Sequence, residues 1–184
     1  MLNILLYVFV IVLLLILVLV IFAMTKPNEF SIRRSISIRA PAARVYGLIE
    51  DFRRWVVWSP WEKLDPTMTK TMAGAEAGPG AVYMWEGNKK VGAGRMEIVA
   101  AEPFSRIEIK LNFLKPFAAE NLTVFTLVPA GEGTNVTWQM AGVNNLMLKM
   151  MGIVMNMDKV IGRDFEEGLA AMKAEAERPE GDPG

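Results

Sequence analysis

The sequence predicts an α+β domain, in which a curved antiparallel sheet of about seven strands surrounds a long C-terminal helix, preceded by one N-terminal transmembrane helix. Three observations predict this architecture. An uninterrupted apolar segment opens the chain, stretches that alternate between apolar and polar residues fill its middle, and an amphipathic pattern of helical period closes it. Short turn-prone segments separate the alternating stretches, which favours antiparallel neighbours in the sheet.

The N-terminal segment has the length and composition of a membrane span. Residues 1–24 contain 23 hydrophobic residues, with Asn3 as the exception, and the first ionisable side chain is Lys26. A helix over residues 2–24 would be about 35 Å long, which is enough to cross a hydrocarbon core of about 30 Å. The segment lacks the basic start and the small-residue cleavage site of a signal peptide, so a retained span is favoured over a cleaved leader.

The charges that follow the span bear on its orientation. Four basic residues come soon after it: Lys26, Arg33, Arg34 and Arg39. The positive-inside tendency therefore favours a single-pass protein of the cell (inner) membrane with a cytoplasmic domain, although residues inside a folded domain weigh little in this rule and an extracytoplasmic domain stays open. We divide the chain into an anchor (1–25), a linker (26–28), a folded domain (29–175) and a disordered tail (176–184).

The composition excludes several classes of function. The chain has 20 basic and 20 acidic residues and contains neither histidine nor cysteine. There is accordingly no disulfide framework, thiol nucleophile or imidazole base, and a zinc site would need carboxylates alone. A net charge of zero provides no basic face of the kind that binds nucleic acid. We expect no metal ion, no cofactor and no nucleic-acid partner.

The periodicity of the remaining chain changes from strand to helix and back. Seven stretches alternate, namely residues 29–39, 68–73, 80–87, 91–101, 105–113, 119–128 and 134–141. Between the first two, helical spacing places Val45, Leu48 and Ile49 on one side of a short helix. A long amphipathic helix is predicted over residues 145–175, with Asn145 as its N-cap, and its apolar side should cover the sheet.

Three segments of the chain resemble motifs of a known superfamily. They are Trp58-Ser-Pro-Trp61 with Leu64-Asp65-Pro66, Val91-Gly-Ala-Gly-Arg-Met96, and Met157-Asp-Lys with Gly162, Asp164-Phe165 and Gly168-Leu169. In this order, over about residues 29–175, they resemble the START/polyketide cyclase (SRPBCC) superfamily, in particular its membrane-anchored bacterial polyketide cyclase/dehydrase-like proteins. The resemblance implies a helix-grip fold with a hydrophobic cavity between the sheet and the terminal helix. It implies less about activity, because the superfamily includes lipid-transfer proteins, hormone receptors, cyclases and ring-hydroxylase subunits.

Aromatic and aliphatic side chains of the strands and the last helix are the candidates for lining this cavity. They are Trp58, Trp61, Tyr83, Trp85, Phe113, Phe125, Trp138, Met150, Val154, Met157, Asp158 and Ile161. A cup-shaped sheet under one helix encloses a volume that is hard to fill, and flexible methionines suit an adaptable apolar site. The alternative is that the same side chains fill a solid core.

The tryptophans of one short segment have two interpretations. Trp55, Trp58 and Trp61 are spaced three residues apart. They would form either a lid at the cavity entrance, near the lipid interface where tryptophan is favoured, or a packed corner between helix and strand. The packed corner is the favoured interpretation.

Asp158 is the most informative polar residue, because it falls inside the apolar side of the predicted last helix. A buried carboxylate needs a partner or acquires a raised pKa. We favour a structural ion pair, with Arg34 or Arg95 as the partner. The alternative is an acid/base or ligand-orienting role, in which Asp158, Tyr83 and Arg34 are the candidate catalytic residues.

The sequence thus supports three hypotheses of function. The leading one is a membrane-anchored domain that binds a hydrophobic small molecule or lipid between the sheet and the last helix. The second is a polyketide cyclase/dehydrase-type enzyme that acts on an aromatic or polyketide-like substrate, although no catalytic motif is evident. The third is a stress- or chaperone-type module with a filled interior, which would bind a protein partner through its surface.

Overall fold

A computed structural model of the protein describes residues 2–179. Within that range the α-helices and strands are, in chain order, α1 (Leu2–Met24), β1 (Glu29–Ile38), α2 (Ala42–Glu50), β2 (Thr69–Gly74), β3 (Ala81–Glu86), β4 (Ala93–Glu102), β5 (Arg106–Lys115), β6 (Ala119–Ala130), β7 (Gly133–Val143), α3 (Leu146–Val154) and α4 (Met157–Ala176). Two short 3₁₀ helices, Phe52–Val57 and Pro60–Lys63, connect α2 to β2.

The seven strands form one antiparallel sheet in the order β1-β7-β6-β5-β4-β3-β2. Strands β2 to β7 follow one another as a meander, and β1 pairs with β7, so the first and last strands of the domain are neighbours. Each predicted strand is present, with ends that differ by no more than two residues from those expected. The curved sheet and the C-terminal helices form an α+β, helix-grip-like fold, which confirms the predicted class.

The prediction of a single C-terminal helix is wrong, because the helix is interrupted between α3 and α4. Met155 has an extended backbone, with φ of −125° and ψ of 128°. Asn156 then caps α4 by accepting the backbone N–H of Lys159 at 3.1 Å. Asn145 caps α3 in the same way, as predicted. Apolar side chains continue across the interruption, so the helical period alone does not reveal it.

The core lies between the concave face of the sheet, α2 and α4. Phe125 and Trp138 are paired across β6 and β7, which places both rings on the concave face. The largest fully buried side chains are Trp58, Trp138, Phe125, Phe165, Ile38, Leu48, Ile49, Ile98, Ile107, Ile109, Leu127 and Leu169. Their burial provides the main stabilisation of the fold.

Helix α1 is long and apolar enough to cross a membrane and is almost entirely exposed in the described structure. It contacts α3 near its C-terminal end, where Ala23 is buried. The residues that follow α1 are hydrogen-bonded to the residue after β7. Asn144 donates its backbone N–H to the carbonyl of Asn28 at 2.7 Å, and its side-chain amide donates to the carbonyl of Pro27 at 3.3 Å. Residues 180–184 of the predicted tail lie outside the described part of the chain.

Candidate functional site

A cavity of about 920 Å³ lies between the sheet, the second 3₁₀ helix, α3 and the first half of α4. Its size is within the range of pockets that hold drug-sized or lipid-like ligands. Several of the side chains predicted to line a cavity do line it: Trp61, Tyr83, Trp85, Phe113, Trp138, Met157, Asp158 and Ile161.

Three other predicted side chains do not line the cavity. Trp58 and Phe125 are completely buried behind its wall, and Met150 is 37% exposed on α3. The side chain of Val154 lies outside the described part of the structure. The apolar pattern of the sequence does not tell a cavity wall from the packed layer behind it.

That packed layer is an aromatic cluster around Trp138. The ring of Trp138 stacks on Phe165 with centroids 4.2 Å apart, and it lies 4.9 Å from Phe125 and 5.5 Å from Trp58. Edge-to-face and offset contacts at such distances add stabilisation beyond simple burial. Trp138 is therefore shared, because it packs against the filled core and also lines the cavity.

The tryptophan segment forms a packed corner and not a lid. Its spacing of three residues matches the period of the 3₁₀ helix Phe52–Val57, which contains Trp55 and ends just before Trp58. Trp55 donates its indole N–H to the carbonyl of Ile49 at 3.0 Å, and Trp58 donates to that of Leu48 at 2.8 Å. Both rings are buried, and Trp55 reaches the cavity together with Trp61, whereas Trp58 does not.

A buried carboxylate, Glu62, lies in the cavity wall next to Tyr83. It accepts the phenolic O–H of Tyr83 at 2.7 Å and pairs with Lys70 of β2. Burial raises the pKa of Tyr83, and the Glu62 carboxylate raises it further. Tyr83 is therefore a neutral phenol whose proton is held by Glu62, which weakens the hypothesis that it exchanges protons with a substrate. Sequence reasoning missed Glu62, although its position beside Trp61 in a buried aromatic segment could have indicated it.

Arg34 joins β1 to α4 through two carboxylates. Its guanidinium donates to Asp158 at 3.1 Å and to Glu166 at 2.6 Å, and these carboxylates raise the pKa of Arg34. The guanidinium lies over Gly162, where the Cβ of any other residue would collide with it. The ion pair expected between Asp158 and Arg34 is present, while Arg95 pairs with Glu97.

The expected burial of Asp158 is wrong, because its side chain is 59% exposed. The interruption before α4 places Asp158 in the first turn of a new helix, where the helix dipole favours a negative charge. Asp158 lines the cavity, and its contacts are those of a structural ion pair.

Asp164 is a cavity carboxylate that the sequence analysis named only as part of a family motif and not as a site residue. It is partly buried, and no ion pair or side-chain hydrogen bond is found for it among residues 2–179. Burial raises the pKa of Asp164, and the nearby charge of Glu167 raises it further. Asp164 follows Ile161, a predicted cavity residue, by about one turn on the same face of α4, and this spacing could have indicated that it lines the cavity.

The remaining polar groups suit a mostly apolar ligand. Asn121 and Thr123 are buried residues of β6 that line the cavity, and Oδ1 of Asn121 has no hydrogen-bond partner within the described chain. Across the same described residues, acidic side chains do not gather in a group of three that could hold a metal ion.

A family of known proteins matches the domain in sequence. The family is described as "Polyketide cyclase / dehydrase and lipid transport", and its model matches residues 29–177. No curated protein has significant sequence similarity to this chain.

Solved structures show the same fold at low sequence identity. A protein from Thermobifida fusca is 24% identical, with a TM-score of 0.59 over 84% of this chain and 97% of its own. Protein CV1439 from Chromobacterium violaceum is 16% identical, with a TM-score of 0.59 over 84% of this chain and 100% of its own. The Aha1 protein from Colwellia psychrerythraea, solved as a dimer, is 13% identical, with a TM-score of 0.58 over 83% of this chain and 99% of its own.

Proposed function

The chain belongs to the polyketide cyclase/dehydrase and lipid transport family, and we propose that its domain binds a lipid or another hydrophobic small molecule beside a membrane that α1 crosses. The observation that carries the proposal is the open cavity of about 920 Å³ under the terminal helices. An open interior favours ligand binding over a protein-partner module with a filled interior.

Apolar contact would supply most of the binding free energy. Each 100 Å² of apolar ligand surface that the cavity buries contributes about 2.5 kcal/mol before the cost of association is subtracted. Asn121, Thr123 and Asp164 would orient a ligand that carries a small polar group at one end. Such a ligand is amphipathic, as membrane lipids and their fragments are.

The anchor would hold the domain where hydrophobic ligands are concentrated. In this proposal residues 1–25 cross the inner membrane once, and the domain (29–175) lies on the cytoplasmic side. Lys26, directly after the span, supports that orientation.

The proposal is tested on the full chain, purified in detergent, by native mass spectrometry followed by organic extraction. We expect one apolar molecule per chain to co-purify. Leu111 faces the cavity and is only partly buried, so Leu111→Trp should fill the open space and lower the occupancy at least fivefold. Leu122→Trp makes the same change on the outer face of β6, where Leu122 is 41% exposed, and should leave the occupancy unchanged. Equal occupancy in both variants would contradict binding in this cavity.

A cyclase- or dehydrase-type activity is a second candidate, because Asp164 places a carboxyl group of raised pKa against the cavity. Such a group can exchange a proton with an acidic carbon of a bound ketone. The probe is 1-phenylbutane-1,3-dione, and the readout is exchange of its central C–H for deuterium, followed by NMR. Catalysed exchange that falls at least tenfold in Asp164→Asn would support the enzyme. Exchange at the same rate in both proteins would leave binding as the function.

A further inference from the structure

Helix α3 is apolar on both of its sides. Leu148 and Ile153 line the cavity, whereas Leu146, Met147 and Met150 are 46%, 47% and 37% exposed on the outside. Lys149 is the one charged residue among its nine. A short helix at the surface of a soluble domain has a polar outer side, so the exposed side of α3 fits an apolar environment.

The position of α3 is fixed close to the end of α1. The two helices are in contact, and Lys149 donates to the side-chain oxygen of Asn28 at 2.6 Å. Four residues, 25–28, separate α1 from β1, which is at most about 14 Å of extended chain. If α1 crosses a bilayer, α3 therefore lies within reach of the surface of that bilayer.

The end of β5 and the turn that follows it border the same cavity as α3. Leu114 and Phe117 are 62% and 42% exposed there, and Phe117 also lines the cavity. Four lysines from separate elements line the same cavity: Lys26, Lys90, Lys115 and Lys149. Apolar side chains flanked by lysines are complementary to a bilayer that contains anionic lipids.

We propose that α3 and residues 114–117 form a membrane-docking surface, which inserts into the headgroup region of the leaflet adjoining the end of α1. The cavity then opens into that leaflet, and a ligand passes between bilayer and cavity without crossing water. The interruption at residues 155–156 separates α3 from α4, so α3 can lie in the interface while α4 stays packed on the sheet. The inference rests on the membrane anchor of the proposed function.

The absence of cysteine from the sequence allows a direct test with single labels on the full chain. Leu13→Cys, Met147→Cys and Val128→Cys are labelled with bimane and reconstituted into vesicles of phosphatidylcholine and phosphatidylglycerol, with and without doxyl-labelled lipid. Position 13 reports on α1 and position 147 on α3. Val128 is 52% exposed near the opposite end of the sheet and serves as the matched control. Met150→Cys provides a second label on α3, should Met147→Cys fold poorly.

We expect more than twofold quenching at positions 13 and 147 and little at position 128. Quenching at 13, with 147 no more quenched than 128, would overturn the docking surface and leave the anchor intact. A label at 13 that is not quenched would overturn the docking surface together with the anchor. Equal quenching at all three positions would indicate adsorption without orientation and would also overturn the proposal.

Discussion

The two halves of the concave face have the same alternating pattern of apolar residues, but one half is filled with side chains and the other lines an open cavity. Under the middle of α4, Phe125 and Trp138 meet Phe165 in a layer where each side chain is no more than 2% exposed. Over β4 and β5, Met96 and Leu111 point the same way and face an open cavity. One sheet thus provides a solid core at one end and a vacant volume at the other.

The difference lies in what the opposite elements supply. From Phe165 onwards, α4 supplies Phe165, Leu169 and Met172, all buried against the sheet. The cavity side of α3 and of the start of α4 is instead mixed, because aliphatic side chains such as Ile153 alternate there with small or polar residues such as Gly152 and Asp164. Whether a sheet face is filled is therefore decided by the residues that cover it, and less by the face itself.

Removing a ring from each half should show the contrast most strongly. We expect Phe165→Ala to lower the free energy of unfolding by about 3–5 kcal/mol, because it leaves a void beneath Trp138. Phe113→Ala removes the same atoms from the cavity wall and should cost about 1 kcal/mol. Denaturant titrations of the full chain in detergent, followed by tryptophan fluorescence, measure both. Equal losses would mean that the two halves are packed alike.

Adding a larger side chain should again cost more stability in the filled half than in the half with the cavity. Leu169 is 1% exposed, so Leu169→Trp overpacks the filled half, and we expect a cost of about 1–3 kcal/mol or more. Leu111→Trp extends into the cavity and should change stability by less than about 1 kcal/mol. The same titrations apply, with Leu122→Trp on the outer face as the control. A large loss in Leu111→Trp would show that the cavity does not admit an indole.

The pH dependence of stability should isolate the carboxyl group that lies in the open half. The pKa of Asp164 is raised in the folded protein by burial, so the folded state binds its proton more tightly than the unfolded state does. Its contribution to stability is greatest at low pH and is lost as the pH rises through the folded-state pKa. Asp164→Asn should therefore raise the melting temperature at pH 7, and the gain should shrink towards pH 4. A gain that grows on acidification would contradict this assignment.

The smallest effect is expected when the carboxylate of Asp158, an exposed partner of Arg34, is removed. Asp158→Asn removes one carboxylate, but Arg34 keeps Glu166 and the backbone carbonyl of residue 158. Exposed ion pairs contribute little, so ligand occupancy should stay within about twofold of the parent protein. Native mass spectrometry of the two proteins side by side is sufficient. Loss of occupancy in a variant that melts normally would restore Asp158 as a ligand-orienting group.

The sheet was predictable because its pattern is local. Alternation and turn residues determine where each strand begins and ends, and short connections leave an antiparallel meander as the simple solution. The interruption of the last helix was not predictable from periodicity, since the apolar side continues through Met155 and Met157. Asn156 was the available sign, because asparagine is a frequent N-cap.

The site was only partly predictable, because its lining depends on contacts between residues that are distant in the sequence. Alternation correctly assigned Tyr83, Trp85 and Phe113 to the concave face, and these residues line the cavity. It does not show how far α4 reaches across the sheet, so Phe125 was also placed at the cavity although it lies behind the wall. Glu62 was missed because its importance comes from pairing with residues of β2 and β3.

The central claim is that the cavity binds a hydrophobic molecule, and tryptophan fluorescence tests it most directly. All five tryptophans lie in the domain and none in α1, and four of them, Trp55, Trp61, Trp85 and Trp138, line the cavity. Titrating the full chain in detergent with 9,10-dibromostearic acid should give quenching that saturates at about one molecule per chain, with stearic acid as the matched control. Quenching no greater than with stearic acid, or quenching that rises without saturation, would contradict a cavity that takes up this class of ligand.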